Sequence, residues 1–338
     1  MKSMTTRRSA LATAVLVGAL GIAPALTSTA TAAKAGNVDR IAGIDRYETS
    51  ANISKANYSP GVDVAYVASG LVFTDALSGA PVAGMKKGPV LLTKPDKLPA
   101  SIEAELTRLQ PKQIVVFGGT NSVMGAVMNS LRALTTGEVT RIAGQTRYST
   151  SAKISEMSYG VGPATTYVAS GEVFPDALSG ASVAGKTSGP LLLIESDNVP
   201  GIVKKELERL ASGRIVVLGG ESTIDADTYA FLTRYTSGAV ERWAGADRYS
   251  TSATISSNSY APGVGQVFVA SGRVFADALS AAPVAGKLGF PVLLVDTDSI
   301  PASIDAELKR LKPSRIVIVG GNTSVSASVE AQLAAYTS

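Results

Sequence analysis

The chain repeats itself twice over. Val67–Gly84 reads VASGLVFTDALSGAPVAG, Val168–Gly185 reads VASGEVFPDALSGASVAG, and Val269–Gly286 reads VASGRVFADALSAAPVAG. Both offsets are 101 residues, and no gap is needed to keep register. Arg40, Arg141 and Arg242 obey the same offset, as do Gly118, Gly219 and Gly320. Counting back from Ser338 divides the chain into units 36–136, 137–237 and 238–338. Solenoid repeats run to roughly 20–50 residues. A unit of this length can hold a core of its own, so three similar domains in tandem are expected. The repeats leave no stretch of these 338 residues for a separate catalytic domain.

The first 33 residues stand outside the repeat. Lys2, Arg7 and Arg8 precede an apolar run, Ala10–Ile22, and small residues follow at Ala30-Thr31-Ala32 and Thr31-Ala32-Ala33. That is the pattern of a secretory signal peptide over residues 1–33. Its apolar run is shorter than the ~20 residues of a spanning helix, and no later segment is long and apolar enough to span. The paired arginines permit the twin-arginine route, but general secretion fits better. The mature protein is expected to be exported and free of transmembrane segments.

Composition narrows the chemistry. Cysteine and histidine are both absent. An exported fold without disulfides must stand on its cores, and Cys/His zinc sites, Ser-His-Asp triads and Cys-His dyads are excluded. No cofactor motif and no metal site is read; a metal would need an all-oxygen site. Three of the four net positive charges (Lys2, Arg7, Arg8) lie in the leader, which leaves +1. Without a bulk basic field, nucleic-acid binding is not supported.

Within the first unit the pattern is strand–helix four times. Strands are expected at Val38–Ile41, Val62–Ala68, Pro89–Thr93 and Gln113–Phe117. Helices are expected over Asp45–Asn57 and from Thr74 to about Lys87. A third should open at Pro99 and carry Ile102, Leu106 and Leu109 on one face. The fourth should be capped by Ser122 and run to about Leu134. Continuous apolar strands alternating with helices imply mainly parallel sheets covered on both faces. The fold class is therefore α/β: three tandem doubly wound modules, Rossmann-like or flavodoxin-like. Linkers of about four residues imply close packing. A pseudo-threefold ring and a linear array both fit the sequence.

Three segments could carry chemistry. The first is R-x-A-G-x-x-R-Y-x-T-S, at Arg40–Ser50, Arg141–Ser151 and Arg242–Ser252. Arg46 falls in the first turn of its helix, where a cation opposes the helix dipole, so it needs another partner. It is either a fork for a carboxylate or phosphate or a structural ion pair with Asp75, Glu105 or a neighbouring unit. The second is Ser69-Gly70, which follows a strand and precedes a helix bearing Asp75 near its N-terminus. Open α/β sheets bind ligands at such strand ends, although turn chemistry and close packing explain the glycines as well. No nucleotide fingerprint is present. The third is the glycine pair 118–119 with its equivalents, each followed by a candidate N-cap, Ser122, Thr223 or Ser324. This is either a second anion cradle or a plain turn. Paired catalytic carboxylates are not evident, and Glu105–Arg108 fits an i, i+3 surface bridge. The ligand-binding candidates are Arg46, Ser69 and Asp75, with Arg147, Ser170 and Asp176, and Arg248, Ser271 and Asp277. Threefold multiplication favours avid binding over catalysis.

These motifs, together with the P-x-L-L segments at Pro89–Leu92, Pro190–Leu193 and Pro291–Leu294, resemble the tandem cell wall-binding repeats of type 2 found on exported Gram-positive proteins. The resemblance covers the whole chain after the leader. It implies Toprim-like modules about a pseudo-threefold axis, no catalysis, and non-covalent anchoring to an anionic secondary polymer such as a teichoic-acid-like polysaccharide. It also implies that P-x-L-L lies near the polymer groove, whereas its apolar residues read as a core strand. Relatives often carry an amidase, protease or adhesin domain beside the repeats. Alternatives are a modifier or enzyme of wall turnover using the Asp75-type carboxylates, and a surface-layer scaffold. Trp243 replaces Ile41 and Ile142, and Ala281 replaces Gly79 and Gly180.

Overall fold

The structure is a computed structural model that describes residues 37–337; the leader read over residues 1–33 lies outside the described residues. The first repeat supplies β1 (Val38–Ile41), α1 (Arg46–Asn57), β2 (Val64–Ser69), α2 (Phe73–Met85), β3 (Val90–Thr93), α3 (Ala100–Leu109), β4 (Gln113–Phe117) and α4 (Gly125–Arg132). The second supplies β5 (Val139–Ile142), α5 (Arg147–Ser158), β6 (Thr166–Ser170), α6 (Pro175–Thr187), β7 (Leu191–Ile194), α7 (Gly201–Leu210), β8 (Ile215–Leu218) and α8 (Ala226–Leu232). The third supplies β9 (Val240–Trp243), α9 (Arg248–Ser257), β10 (Val267–Ser271), α10 (Phe275–Leu288), β11 (Val292–Val295), α11 (Ala302–Leu311), β12 (Ile316–Val319) and α12 (Ala327–Leu333).

The strands form three four-stranded parallel sheets, in the orders β3-β2-β4-β5, β7-β6-β8-β9 and β1-β12-β10-β11. Each sheet therefore takes its last strand from the following repeat: β5 pairs with β4, and β9 pairs with β8. The exchange closes on itself, because β1 pairs with β12 in the register Val38↔Ile316 to Ile41↔Val319. This answers the choice between ring and array. The inner strand β2 is buried along its whole length, as its unbroken apolar run requires, and so is β3 at the edge of the same sheet, with Val90, Leu91 and Leu92. The P-x-L-L segment is thus a core strand.

At the centre α2, α6 and α10 pack against one another. In α2 every residue from Thr74 to Gly84 is buried, as expected for a helix covered on all sides. Small residues make this possible. A Cβ on Gly84 would lie 3.1 Å from the Pro283 carbonyl oxygen and 3.5 Å from the Gly185 Cα, and one on Gly286 would lie 3.1 Å from the Gly185 Cα. The three glycines meet where the central helices end, so the thin face serves packing between modules as well as packing onto a sheet. Gly79 and Gly180 face Phe117 and Leu218 of their own sheets. At the corresponding sheet position the third module has the smaller Val319, and Ala281 stands in place of glycine.

Helix boundaries follow the expectation with small corrections. Asp45 caps α1 by accepting from the Tyr47 and Glu48 N–H groups. Pro99 is the residue before α3 and not its first turn. Ser122 and Ser324 cap nothing: α4 opens after Met124 and α12 after Ser326. In the second module Asp225, not Thr223, caps α8. The Glu105–Arg108 pair is not a surface bridge. Glu105 is buried, and both its oxygens accept from Arg108 at 2.7 Å. Arg108 also donates to the Tyr58 carbonyl, and Ser54 donates to Glu105, which ties α3 to α1.

Candidate functional site

Asp75 lies at the start of α2, 5 % exposed, and its equivalents Asp176 and Asp277 are 8 % and 5 % exposed. Asp75 Oδ2 accepts from Ser122 Oγ at 2.9 Å, and Asp277 Oδ2 accepts from Ser324 Oγ at 2.8 Å. In the second module Thr223 Oγ1 faces Asp176 and donates to the Gly220 carbonyl at 2.9 Å. The carboxylate sits over the glycine-pair turn. Gly118 has φ +103°, and a Cβ there would collide with Asp75, so both the conformation and the space demand glycine. Of the two readings of Gly118-Gly119, the plain turn fits: the Gly118 N–H donates to the Ile142 carbonyl at 3.0 Å, and the space above the turn is taken by the protein's own carboxylate.

The charged partners of Asp75 come from the next module. Arg147 and Arg141 favour its ionised form, and the Thr150 hydroxyl faces it. Thr150 accepts in turn from the Gly144 N–H at 3.0 Å. Arg248 stands in the same relation to Asp176, and Arg46 to Asp277 across the closing interface. The structure therefore does not assemble Arg46, Ser69 and Asp75 into one trio; it brings each aspartate to the arginine of the following module. Burial outweighs these neighbours, so all three carboxyls titrate above the usual range, Asp176 at about 6.

The two arginines of the motif have different tasks. Arg40, Arg141 and Arg242 donate to the carbonyls of Gly320, Gly118 and Gly219 in the preceding module. Arg40 also pairs with Glu330 at 2.9 Å. These three are joints. Arg46, Arg147 and Arg248 each donate one Nη1–H group to the carbonyl of Gly70, Gly171 or Gly272 in their own Ser-Gly turn. Among the described residues, no other hydrogen-bond acceptor takes their remaining guanidinium donors. Arg147 and Arg248 are exposed and Arg46 is half-buried. Ser69, Ser170 and Ser271 are buried, and each closes its own turn by accepting the N–H of Leu71, Glu172 or Arg273.

Two clefts open where modules meet. One of about 320 Å³ is lined by Val72, Asp75, Asn121, Gln145, Thr146 and Arg147. Its counterpart, about 150 Å³, is lined by Val173, Asp176, Ser222, Asp247 and Arg248. A larger groove of about 670 Å³ lies on the flank of the second module and is lined partly by Ile202 and Lys205. The other repeats have serine and alanine at those two positions, Ser101 and Ala104, Ser303 and Ala306. The lining of that groove is therefore not common to the three repeats. Sequence reasoning named these arginines and aspartates and allowed Arg46 a partner in a neighbouring unit, but it grouped Arg46 with Asp75 of its own module. The only signal for the pairing across modules was the dipole conflict of Arg46, which asked for a partner without saying where. No cluster of His, Cys, Asp and Glu among the described residues could hold a metal ion. No helix among the described residues is long and apolar enough to cross a membrane.

The chain is similar to known proteins in sequence and in structure. N-acetylmuramoyl-L-alanine amidase LytC of Bacillus subtilis is 27 % identical over 297 residues, which is 88 % of this chain and 58 % of that protein. The amidase enhancer of the same organism is 36 % identical over 192 residues, 57 % of this chain and 26 % of that protein. Among solved structures, Cwp6 from Clostridium difficile superposes with a TM-score of 0.84 at 26 % identity, covering 90 % of this chain and 48 % of its own. Cwp8 from the same organism gives 0.80 at 27 %, covering 89 % and 51 %. The chain thus spans about half the length of these proteins, or less. The family described as Cell wall binding domain 2 matches three times, at residues 40–128, 141–229 and 242–330. The chain belongs to that family, and with it to the wall-associated proteins of the Gram-positive cell surface.

Proposed function

We propose that this protein anchors non-covalently to an anionic polymer of the cell wall through its inter-module clefts, without catalysing a reaction there. The observation that carries this reading is the recurrence of Arg46, Arg147 and Arg248, each fixed by one carbonyl and left with donors to spare at a module boundary. A planar guanidinium held in this way suits a carboxylate or phosphate, which it can bind with two parallel hydrogen bonds. The buried aspartates and serines support it: Asp75 and Ser122 hold one side of the cleft, and Ser69 fixes the turn to which Arg46 is tied. Asp75, Asp176 and Asp277 already serve internal donors, so a role as general acid or base has little to recommend it. Three weak contacts in one rigid body gain by avidity.

Purified protein should sediment with isolated walls, lose sedimentation when anionic polymers are extracted, and bind less as salt rises. Undiminished binding to extracted walls would sink this reading. The likeness to the amidase enhancer favours a second one, in which the ring delivers or stimulates a wall amidase. A rise in turnover when the ring is added to a purified amidase on polymer-bearing walls would support it.

A further inference from the structure

The three Ser-Gly turns also carry an aromatic cluster. Phe73, Phe174 and Phe275 stand at the starts of α2, α6 and α10 and close a triangle about the pseudo-threefold axis, with ring centroids 5.8, 5.7 and 5.9 Å apart. All three are half-buried. A plug that merely sealed the axis would be covered, as Phe117 and Phe268 are in the sheets. The other end of the axis is sealed by contact among Gly84, Gly185 and Gly286. The aromatic end is open, and Leu71, Val72 and Val173 flank it at 56 %, 38 % and 40 % exposure. One cation reaches the same place, and its two equivalents hold the matching turns. The Arg46 guanidinium lies 5.6 Å from the centroid of Phe275, and Arg147 and Arg248 are tied to their turns as Arg46 is.

We infer that Phe73, Phe174 and Phe275, rimmed by Arg46, Arg147 and Arg248, form one axial subsite that receives a single negatively charged sugar residue. The inference rests on the wall-polymer reading and sharpens it: the three modules share one polymer segment and do not hold three. The chemistry matches both parts of such a ligand. A pyranose ring has an apolar C–H face that packs on aromatic carbon, and its carboxylate or phosphate takes the unspent guanidinium donors. A guanidinium already beside a ring keeps its charge and its hydrogen-bonding edge while covering apolar surface. A purely aliphatic ligand would leave the arginines idle, and a bare anion would leave the rings idle.

The test uses the full chain labelled with 4-fluorophenylalanine, which places seven reporters, and a soluble anionic fragment released from isolated walls. The fluorine resonances of Phe73, Phe174 and Phe275 should move together and saturate at one fragment per protein. Those of Phe117, Phe231, Phe268 and Phe290 should stay. Replacing the triad with leucine should weaken fragment binding at least tenfold while the salt dependence set by the arginines persists. Saturation at three fragments, or triad resonances that stay put while the protein still sediments with polymer-bearing walls, would overturn the axial subsite alone. Failure to sediment with those walls would overturn the wall-polymer reading and the subsite with it.

Discussion

Asp176 shows how far a single side chain departs from its ordinary chemistry. Burial lifts its carboxyl from 3.8 to about 6, against the pull of Arg248, Thr251 and Thr223. A carboxyl whose folded pKa is raised binds its proton more tightly in the folded state. Its contribution to stability is full below about pH 3.8 and is lost as pH rises through about 6. At roughly 1.4 kcal/mol per pKa unit, the loss is at most about 3 kcal/mol. Asp176→Asn should therefore leave stability at pH 4 nearly unchanged and raise it at pH 7, as thermal melts at both values would show. A variant less stable than wild type at pH 7 would mean that the ionised carboxylate holds the Gly219 turn more strongly than burial penalises it. Arg147 contributes differently. It is exposed and spends one donor on the Gly171 carbonyl. Arg147→Gln should lower stability by about 1 kcal/mol or less, yet reduce wall binding severalfold and flatten its salt dependence.

At the scale of elements, the fold was largely legible because local patterns and burial agree. Apolar runs such as Ile114–Phe117 became buried parallel strands, and the Ile102, Leu106, Leu109 stripe became the inner face of α3. What was not legible is long-range. Nothing local to Val139–Ile142 says that it pairs with β4 of the unit before it, because strand pairing is set by a ladder between distant residues. Glu105 and Arg108 sit at helical spacing typical of exposed pairs, and only the packing of α1 over them buries the carboxylate. The candidate site was legible as residue types and not as a constellation, since Asp75 and Arg147 are brought together by the turn of one module against the next. Two element-level outcomes follow. Glu105→Ala leaves Ser54 without its acceptor and Arg108 with the Tyr58 carbonyl alone, and should cost about 2 kcal/mol, measured by denaturant unfolding. Gly185→Val forces α6 away from Pro81 and Gly286 and should cost at least about 3 kcal/mol, with disturbed packing of the central helices in near-ultraviolet circular dichroism.

At the scale of the molecule, closure is the defining property. The interface between the third and first modules is built like the other two but lacks a covalent link. It has its strand pair, the Arg315–Asp39 and Arg40–Glu330 bridges, and Lys287, which donates to the Asn57 carbonyl at 2.9 Å and sits 4.1 Å from the Tyr58 ring centroid. Lys186 repeats that last contact with Ser259 and Tyr260. A chain permuted to begin at residue 137, with residues 338 and 36 joined by a short linker, should fold with a melting temperature within a few degrees of the parent. Removing residues 36–45 should strip β12 of its outer partner β1, leaving it paired with β10 alone, and abolish cooperative unfolding of the third sheet. A closed ring holds Arg46, Arg147 and Arg248 at fixed separations, which is what makes avidity possible. Wall binding by the arginines acting together is therefore most directly tested by sedimenting single, double and triple Arg→Gln variants at these three positions with polymer-bearing walls. Binding should fall by a larger factor with each added substitution, and the triple variant should bind no better than wild type does to extracted walls. A triple variant that is folded and binds polymer-bearing walls as wild type does would contradict it.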